Sequence, residues 1–227
     1  MIPFDQAKKV LSEAQEDYLK QIYLLTEASP TAGTQALADR LRVAPASVTV
    51  MIQKLGDMNL VDYEQYKGVR LTASGLSAAL EILRHHRLLE SFLLQALGYG
   101  WDEVHDEAEK LEHYISETFE ARMAAWLGHP SRDPHGDPIP DRNLNLPADR
   151  GQARLTDQKP GFSGTVVRVG TQDRDELNLF RRLGLVPGAP LALLESGDDT
   201  LRVQVGQEPY LLPHSLARKL GVEEELS

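Results

Sequence analysis

Hydrophobic and polar positions along this chain alternate between helical and strand-like periods, and each change of period marks a new element. Ser12 and Gln15 form a capping-box pattern, and Tyr18, Leu19, Ile22 and Leu25 then recur at helical spacing until Pro30–Gly33 breaks the run. A short helix Gln35–Leu41 with Thr34 as its cap, a turn at Arg42–Ala44 and a third helix opened by Pro45 follow. That third helix carries Val48, Met51, Ile52 and Leu55 on one face, up to about Met58. Two β-like runs, Leu60–Glu64 and Val69–Thr72, flank Gln65–Gly68 and predict a hairpin with Gly68 at its tip. Three helices and a hairpin are the layout of a winged helix-turn-helix domain, expected over residues 1–75.

A long helix is predicted from Ser74 to about Leu97, and a further one up to Leu127–Gly128, giving a helical domain over 76–128. Leu80, Leu83, Leu88, Leu89, Phe92 and Leu93 offer more apolar surface than one partner helix covers, so a homodimer is expected. Residues 128–147 contain Pro130, Pro134, Pro138, Pro140 and Pro147 and read as a linker, with the linker domain set at 129–150. Over 151–227 the texture is β-like. Gly164–Val169, Ala189–Leu194 and Leu201–Val205 predict short strands of a small barrel, with a helix Asp175–Leu183 between the first two. The fold class is therefore mostly α plus β.

The most informative run is His105–His113. On a single helix, His105, Glu109, Glu112 and His113 fall within an arc of roughly 100° beside the apolar Val104, Ala108, Leu111, Ile115 and Phe119. Two carboxylates and two imidazoles at the edge of a buried seam call for a cation. Because the chain has no cysteine, a metal must be held by oxygen and nitrogen, and disulfides, zinc ribbons, iron–sulfur clusters and thiol catalysis are excluded.

The net charge of −10 disfavours nucleic acid as a partner until its distribution is read. Residues 1–75 hold eight basic against nine acidic side chains, whereas 76–128 hold four against ten, so the acid is concentrated around the His105–His113 run. The N-terminal part can still present a basic surface to DNA. No apolar stretch reaches about 18 residues, the length of a membrane span, and Met1–Asp5 lacks the start of a signal peptide, so a cytoplasmic protein is expected.

Taken in order, Glu16–Tyr23 (EDYLKQIY), Arg84–Glu90 (RHHRLLE), Val104–Ala108, Glu112–His113, Asp133–Pro140 (DPHGDPIP) and Arg182–Gly188 (RLGLVPG) resemble the diphtheria-toxin-repressor family of metal-dependent transcriptional regulators. The resemblance implies a winged-helix DNA-binding domain, a helical dimerisation domain and a flexibly tethered SH3-like (FeoA-type) β-barrel. It implies two metal sites per subunit: Asp17, Glu109, Glu112 and His113 at a primary site, and His86, Glu90 and His105 at an ancillary one, to which Asp173 and Glu176 of the barrel contribute. Where iron-responsive members carry Met and Cys, this chain has Asp17 and Glu109. Carboxylates with imidazole suit Mn²⁺ or Fe²⁺, and the ligand pattern points to Mn²⁺ first and Fe²⁺ second. Lys20 stands where short manganese regulators place a further carboxylate, which favours two separated sites over a paired one.

The expected function is metal-dependent repression of metal-uptake genes by a homodimer on double-stranded DNA, at a palindromic operator with half-sites about 34 Å apart or a multiple of that. Ala46, Ser47, Thr49 and Val50 sit at the DNA-facing start of the recognition helix, with Lys54, Lys67 and Arg70 as phosphate contacts. A metalloenzyme using the same Glu/His cluster is the rival. It would need a general base and a substrate pocket, and the chain lacks the Glu-x-x-His pairs of di-metal bundles. His85, His129, His135 and His214 are assigned no role, His85 being placed at an interface or surface.

Overall fold

The computed structural model describes residues 11–27, 29–64, 67–147 and 153–224; Met1–Asp5, the hairpin residues Gln65 and Tyr66, and the expected boundary at Arg150 lie outside the described residues. Two compact units emerge: Met1–His85 with Glu112–Ile115 and Arg142–Asn145, and the remainder from His86 onward.

In the first unit, helix α1 (Glu13–Thr26) opens with the expected Ser12/Gln15 capping box, the Ser12 amide donating to Gln15 Oε1 at 2.9 Å. Helix α2 (Thr34–Leu41) begins at Thr34, so the cap is Gly33 and the expected Thr34 cap is not made. Helix α2 ends on Arg42, whose φ of 55° turns the chain into helix α3 (Pro45–Asp57). Strands β1 (Val61–Glu64) and β2 (Gly68–Leu71) pair antiparallel. A bridge the sequence did not suggest adds Ala32 to the outer side of β2 through two hydrogen bonds with Val69. Gly68 is required there: its φ is 97°, and a Cβ would stand 2.7 Å from the Ala32 carbonyl oxygen. Leu19, Ile22, Leu37, Val48, Ile52, Leu55 and Val69 form the core, which leaves the outer face of α3 exposed.

Helix α4 (Ala73–Leu97) runs as expected. The helix expected to reach Gly128 is broken: α5 (Val104–Leu111) stops, residues 112–116 turn, and α6 (Glu117–Trp126) restarts where the Ser116 hydroxyl accepts the Phe119 amide. Ser116 offers the new helix a side-chain cap that a continuous helix would forgo. The single stripe of His105, Glu109, Glu112 and His113 is therefore divided between a helix and a turn.

In the second unit, β3 (Ala153–Arg154), β4 (Ser163–Val169), β5 (Pro190–Ser196), β6 (Thr200–Val205), β7 (Glu208–Pro213) and β8 (Leu220–Glu224) form an antiparallel sheet in the order β3-β8-β4-β5-β6-β7. Helix α7 (Arg174–Arg182) packs Leu177 and Phe180 into its core, and α8 (His214–Ala217) is a single turn. Strands β3, β7 and β8 were not foreseen. Pro209 and Pro213 in β7 disguise it, and prolines are tolerated there because β7 ends the sheet order.

The proline-rich stretch departs furthest from expectation. Asp133, His135, Asp137 and Ile139 are buried, so the segment is packed and is no flexible tether. The Arg87 guanidinium donates to the Pro138 carbonyl, Trp101 Nε1 donates to the Pro134 carbonyl at 2.9 Å, and the Val169 amide of β4 donates to the His135 carbonyl at 2.8 Å. Proline supplies extended backbone without amides to satisfy, which suits a segment wedged between helix and sheet. Among the described residues no helix is long and apolar enough to cross a membrane.

Candidate metal centres

Among the groups of ligand-type side chains formed by the described residues, two hold residues expected at the metal sites, one in each unit. In the first, α1 presents Glu16, Asp17 and Lys20, and the turn after α5 presents Glu112 and His113. His113 Nδ1 meets Glu16 Oε2 at 2.6 Å, while Nε2 faces Asp17 Oδ1 at 3.2 Å and Glu112 Oε1 at 3.6 Å. Ligand atoms of Asp17, Glu112 and His113 lie within 4.8 Å of one another. Lys20 Nζ donates to Glu112 Oε1 at 2.5 Å, with both side chains at or below 2% exposure. His85, expected at an interface or surface, is fully buried within the chain, and its Nδ1 meets the Glu112 carbonyl oxygen at 3.2 Å, fixing the turn that carries Glu112 and His113.

The charge state follows. Burial opposes protonation of His113, but its bonds to Asp17 and Glu16 and the charges of Glu112 and Asp17 overcome this and raise its pKa to about 10. Without metal, an imidazolium and a lysine ammonium therefore balance the converging carboxylates. The donor set of oxygens and one imidazole nitrogen fits a hard or borderline divalent ion. Glu16 was missed as a functional residue; its place directly before Asp17 was the only available signal. Held on Nδ1 by Glu16, the ring turns Nε2 toward Asp17 and Glu112, the arrangement an outer carboxylate gives a metal-binding histidine.

In the second unit, Glu90 is buried and its Oε1 lies 3.0 Å from His86 Nε2 and 3.2 Å from His105 Nδ1, which are themselves 3.0 Å apart. Donors about 2.1 Å from one ion and at right angles lie about 3 Å apart, so this triangle has the edge lengths of a coordination face. Glu109 Oε1 stands 3.8 Å from His86 Nδ1 and 3.8 Å from His105 Nε2. The structure thus brings Glu109 to the histidines expected at the ancillary site. Burial opposes ionisation of Glu90, yet the His86 charge, bonds from His105 and His86 and the nearby His135 hold its carboxyl well below the usual range. His135 is raised to about 9: burial opposes protonation, and the facing carboxylate of Glu90 with the charge of Asp133 overcomes it.

Asp173 and Glu176 are otherwise engaged. Asp173 caps α7 by accepting the Glu176 amide at 3.0 Å, and Glu176 accepts the Thr171 hydroxyl at 2.5 Å and pairs with Lys219. Helix α7 itself is docked beside the second group, with Arg174 Nε 3.3 Å from Asp106 Oδ2 and Asn178 donating to Asp102 at 3.0 Å.

On the outer face of α3, Ala46, Ser47, Thr49, Val50 and Lys54 are all exposed, Val50 at 65%. Thr49 Oγ1 is turned back to the Pro45 carbonyl at 3.2 Å. Pro45 begins the helix with no side-chain cap; it carries no amide hydrogen itself, and the Ser47 amide donates to the Ala44 carbonyl at 2.9 Å. On the wing, Lys67 pairs with Glu64 at 2.6 Å and Arg70 with Asp62 at 3.4 Å, both exposed.

Comparison with known proteins gives matches across this arrangement. Residues 10–69 match the model "Iron dependent repressor, N-terminal DNA binding domain", residues 72–141 match "Iron dependent repressor, metal binding and dimerisation domain", and residues 153–224 match the FeoA domain. The iron-dependent repressor IdeR of Mycobacterium leprae is 32% identical over 226 residues, covering 94% of this chain and 98% of that protein. The regulator MntR of Oceanobacillus iheyensis is 40% identical over 101 residues, 44% of this chain and 68% of that one. A solved manganese-dependent transcriptional repressor in complex with manganese superposes with a TM-score of 0.88 at 37% identity, covering 93% of this chain and all of that one.

Proposed function

The chain belongs to the iron-dependent repressor family of metal-dependent DNA-binding regulators, and from that membership we propose that it is a manganese-responsive repressor. Its relatives are transcriptional repressors, not enzymes. The observation that carries the choice of metal is the cysteine-free donor set, in which the thioether or thiolate of a softer site is replaced by the carboxylates of Asp17 and Glu109. Fe²⁺, which shares these donors, is the second reading.

We assign Asp17, Glu112 and His113 to a primary site, with Glu109 joined to them by the motif, and His86, Glu90 and His105 to an ancillary site, giving two ions per subunit. Asp173 and Glu176 are proposed as the sheet domain's contribution to the ancillary site, reached when Glu176 leaves Lys219. A bound divalent ion supplies charge that lets the carboxylates on α1 and on the turn after α5 converge. The chain's own residues do the rest. Glu16 orients the His113 ring, Lys20 balances Glu112, and α1 is thereby tied to residues 112–113 within the DNA-binding unit.

In a homodimer the two α3 helices address a palindromic operator in the cytoplasm, with Ser47, Thr49 and Val50 toward base edges and Lys54, Lys67 and Arg70 toward phosphates. The exposed outer face of α3 supports this reading. Selection from a pool of genomic fragments, run with Mn²⁺, Fe²⁺, Zn²⁺ or chelator, tests it. Enrichment of a palindromic site with Mn²⁺ but not with chelator is expected. The same fragments recovered under chelator would overturn it.

A further inference from the structure

The DPHGDPIP segment reads as a linker by its prolines, yet its His135 is fully buried. Its Nε2 meets the Trp101 carbonyl oxygen at 2.9 Å, and a carbonyl only accepts, so that nitrogen carries a hydrogen. The ring lies against Trp101, with centroids 5.0 Å apart. Its Nδ1 faces Glu90 Oε2 at 3.6 Å, the carboxylate oxygen opposite the one that meets His86 and His105. At that distance the two make an ion contact, and both facing atoms are buried without a hydrogen-bond partner.

The backbone of the same residue reaches the sheet. The His135 carbonyl accepts the Val169 amide of β4 at 2.8 Å, and Gly136, at φ 91°, passes so close to β4 that a Cβ would overlap the Val167 carbonyl oxygen. Asp137 pairs with Arg168 of β4 at 2.6 Å and lies 3.7 Å from Arg87 of α4. Asp133 Oδ1 accepts the amides of His135 and Asp137 at 2.8 and 2.9 Å, which fixes the loop's shape. Four residues thus span from a metal-site carboxylate to a strand of the FeoA-type sheet.

We propose that residues 133–140 are a coupling latch, in which His135 is a positioning residue that holds Glu90 for the second metal site and ties that site to β4. The proposal rests on the ancillary-site reading above. Glu90 is aimed correctly only while the latch is seated on the sheet, and metal at the second site in turn holds the latch down.

Equilibrium dialysis of the full-length protein against Mn²⁺, with hydrogen exchange of the Val169 amide, tests this. The parent binds two ions per protomer, and the Val169 amide exchanges more slowly as the weaker ion binds. His135→Ala weakens that ion at least tenfold with unchanged far-UV circular dichroism. His135→Asn, whose side-chain amide can still donate toward Glu90, recovers most of the loss. Gly136→Ala touches no ligand, yet weakens the same ion and speeds exchange at Val169. A parent with one ion per protomer overturns the ancillary-site reading and the latch with it. Two ions in the parent with parental affinities in His135→Ala and Gly136→Ala overturn the latch alone, as does Val169 exchange indifferent to Mn²⁺.

Discussion

Replacing Lys20 by Met removes the ammonium from a pair in which Lys20 is 2% exposed and Glu112 0%, with 2.5 Å between Nζ and Oε1. Methionine keeps most of the apolar stem and leaves the Glu112 carboxylate buried without its ammonium. Removing one partner of a buried pair costs about 3–5 kcal/mol, because the remaining charge stays in a poorly solvated place. The His113 imidazolium, with Nε2 3.6 Å from the same oxygen, offsets part of this, which puts the expected loss near about 3 kcal/mol. For a chain of this size that is roughly 6–12 °C in melting temperature. Urea unfolding followed by far-UV circular dichroism in chelator measures it as a fall in midpoint at constant slope. Saturating Mn²⁺ should shrink the deficit, since the ion supplies positive charge beside Glu112, and Lys20→Met/Glu112→Leu should restore much of the stability in chelator. A Lys20→Met protein within about 0.5 kcal/mol of the parent in chelator would refute the claim that Lys20 balances Glu112 in the metal-free protein.

Other outcomes follow from the same geometry. His113 is protonated below about 10 in the metal-free protein and must be neutral to bind metal, so Mn²⁺ affinity should rise with pH, about tenfold per unit, with one proton released in calorimetry across buffers. By linkage, the stabilisation from this raised pKa is fully present below the ordinary value of 6.5 and is lost as pH climbs through about 10; a metal-free protein that grows more stable over that window contradicts the assignment. Glu109→Cys should move the Mn²⁺-to-Fe²⁺ activation ratio toward iron, read as DNA binding at matched free metal. Lys54→Gln should weaken DNA binding for all sequences and reduce the salt slope by about one, whereas Val50→Ala should relax preference at one base position without changing that slope.

The winged helix was readable because its signals are local: the Ser12/Gln15 box and Pro45 at a helix start act within a few residues, and Gly68, expected at the hairpin tip, instead opens β2 opposite Glu64. The FeoA-type sheet was read only in part, because β3 is two residues long and β7 carries two prolines. The metal-site helix misled because periodicity alone cannot see that Ser116 restarts the chain as a new helix. That break puts Glu112 and His113 with α1 while Glu109 faces His86 and His105. Residues 133–140 were misread for a similar reason. Proline content marks backbone that is neither helix nor strand, but burial of His135 depends on Trp101 and Val169, 34 residues to either side, which no local pattern reports.

The measurement closest to the central claim is fluorescence anisotropy of a labelled operator fragment, titrated with the parent protein in Mn²⁺ and in chelator, and repeated with His113→Ala. The account predicts tight binding by the parent in Mn²⁺ and a loss well beyond tenfold, or about 1.4 kcal/mol, both in chelator and in the variant, while the variant stays folded and dimeric. Equal affinity of the parent in Mn²⁺ and in chelator would contradict it.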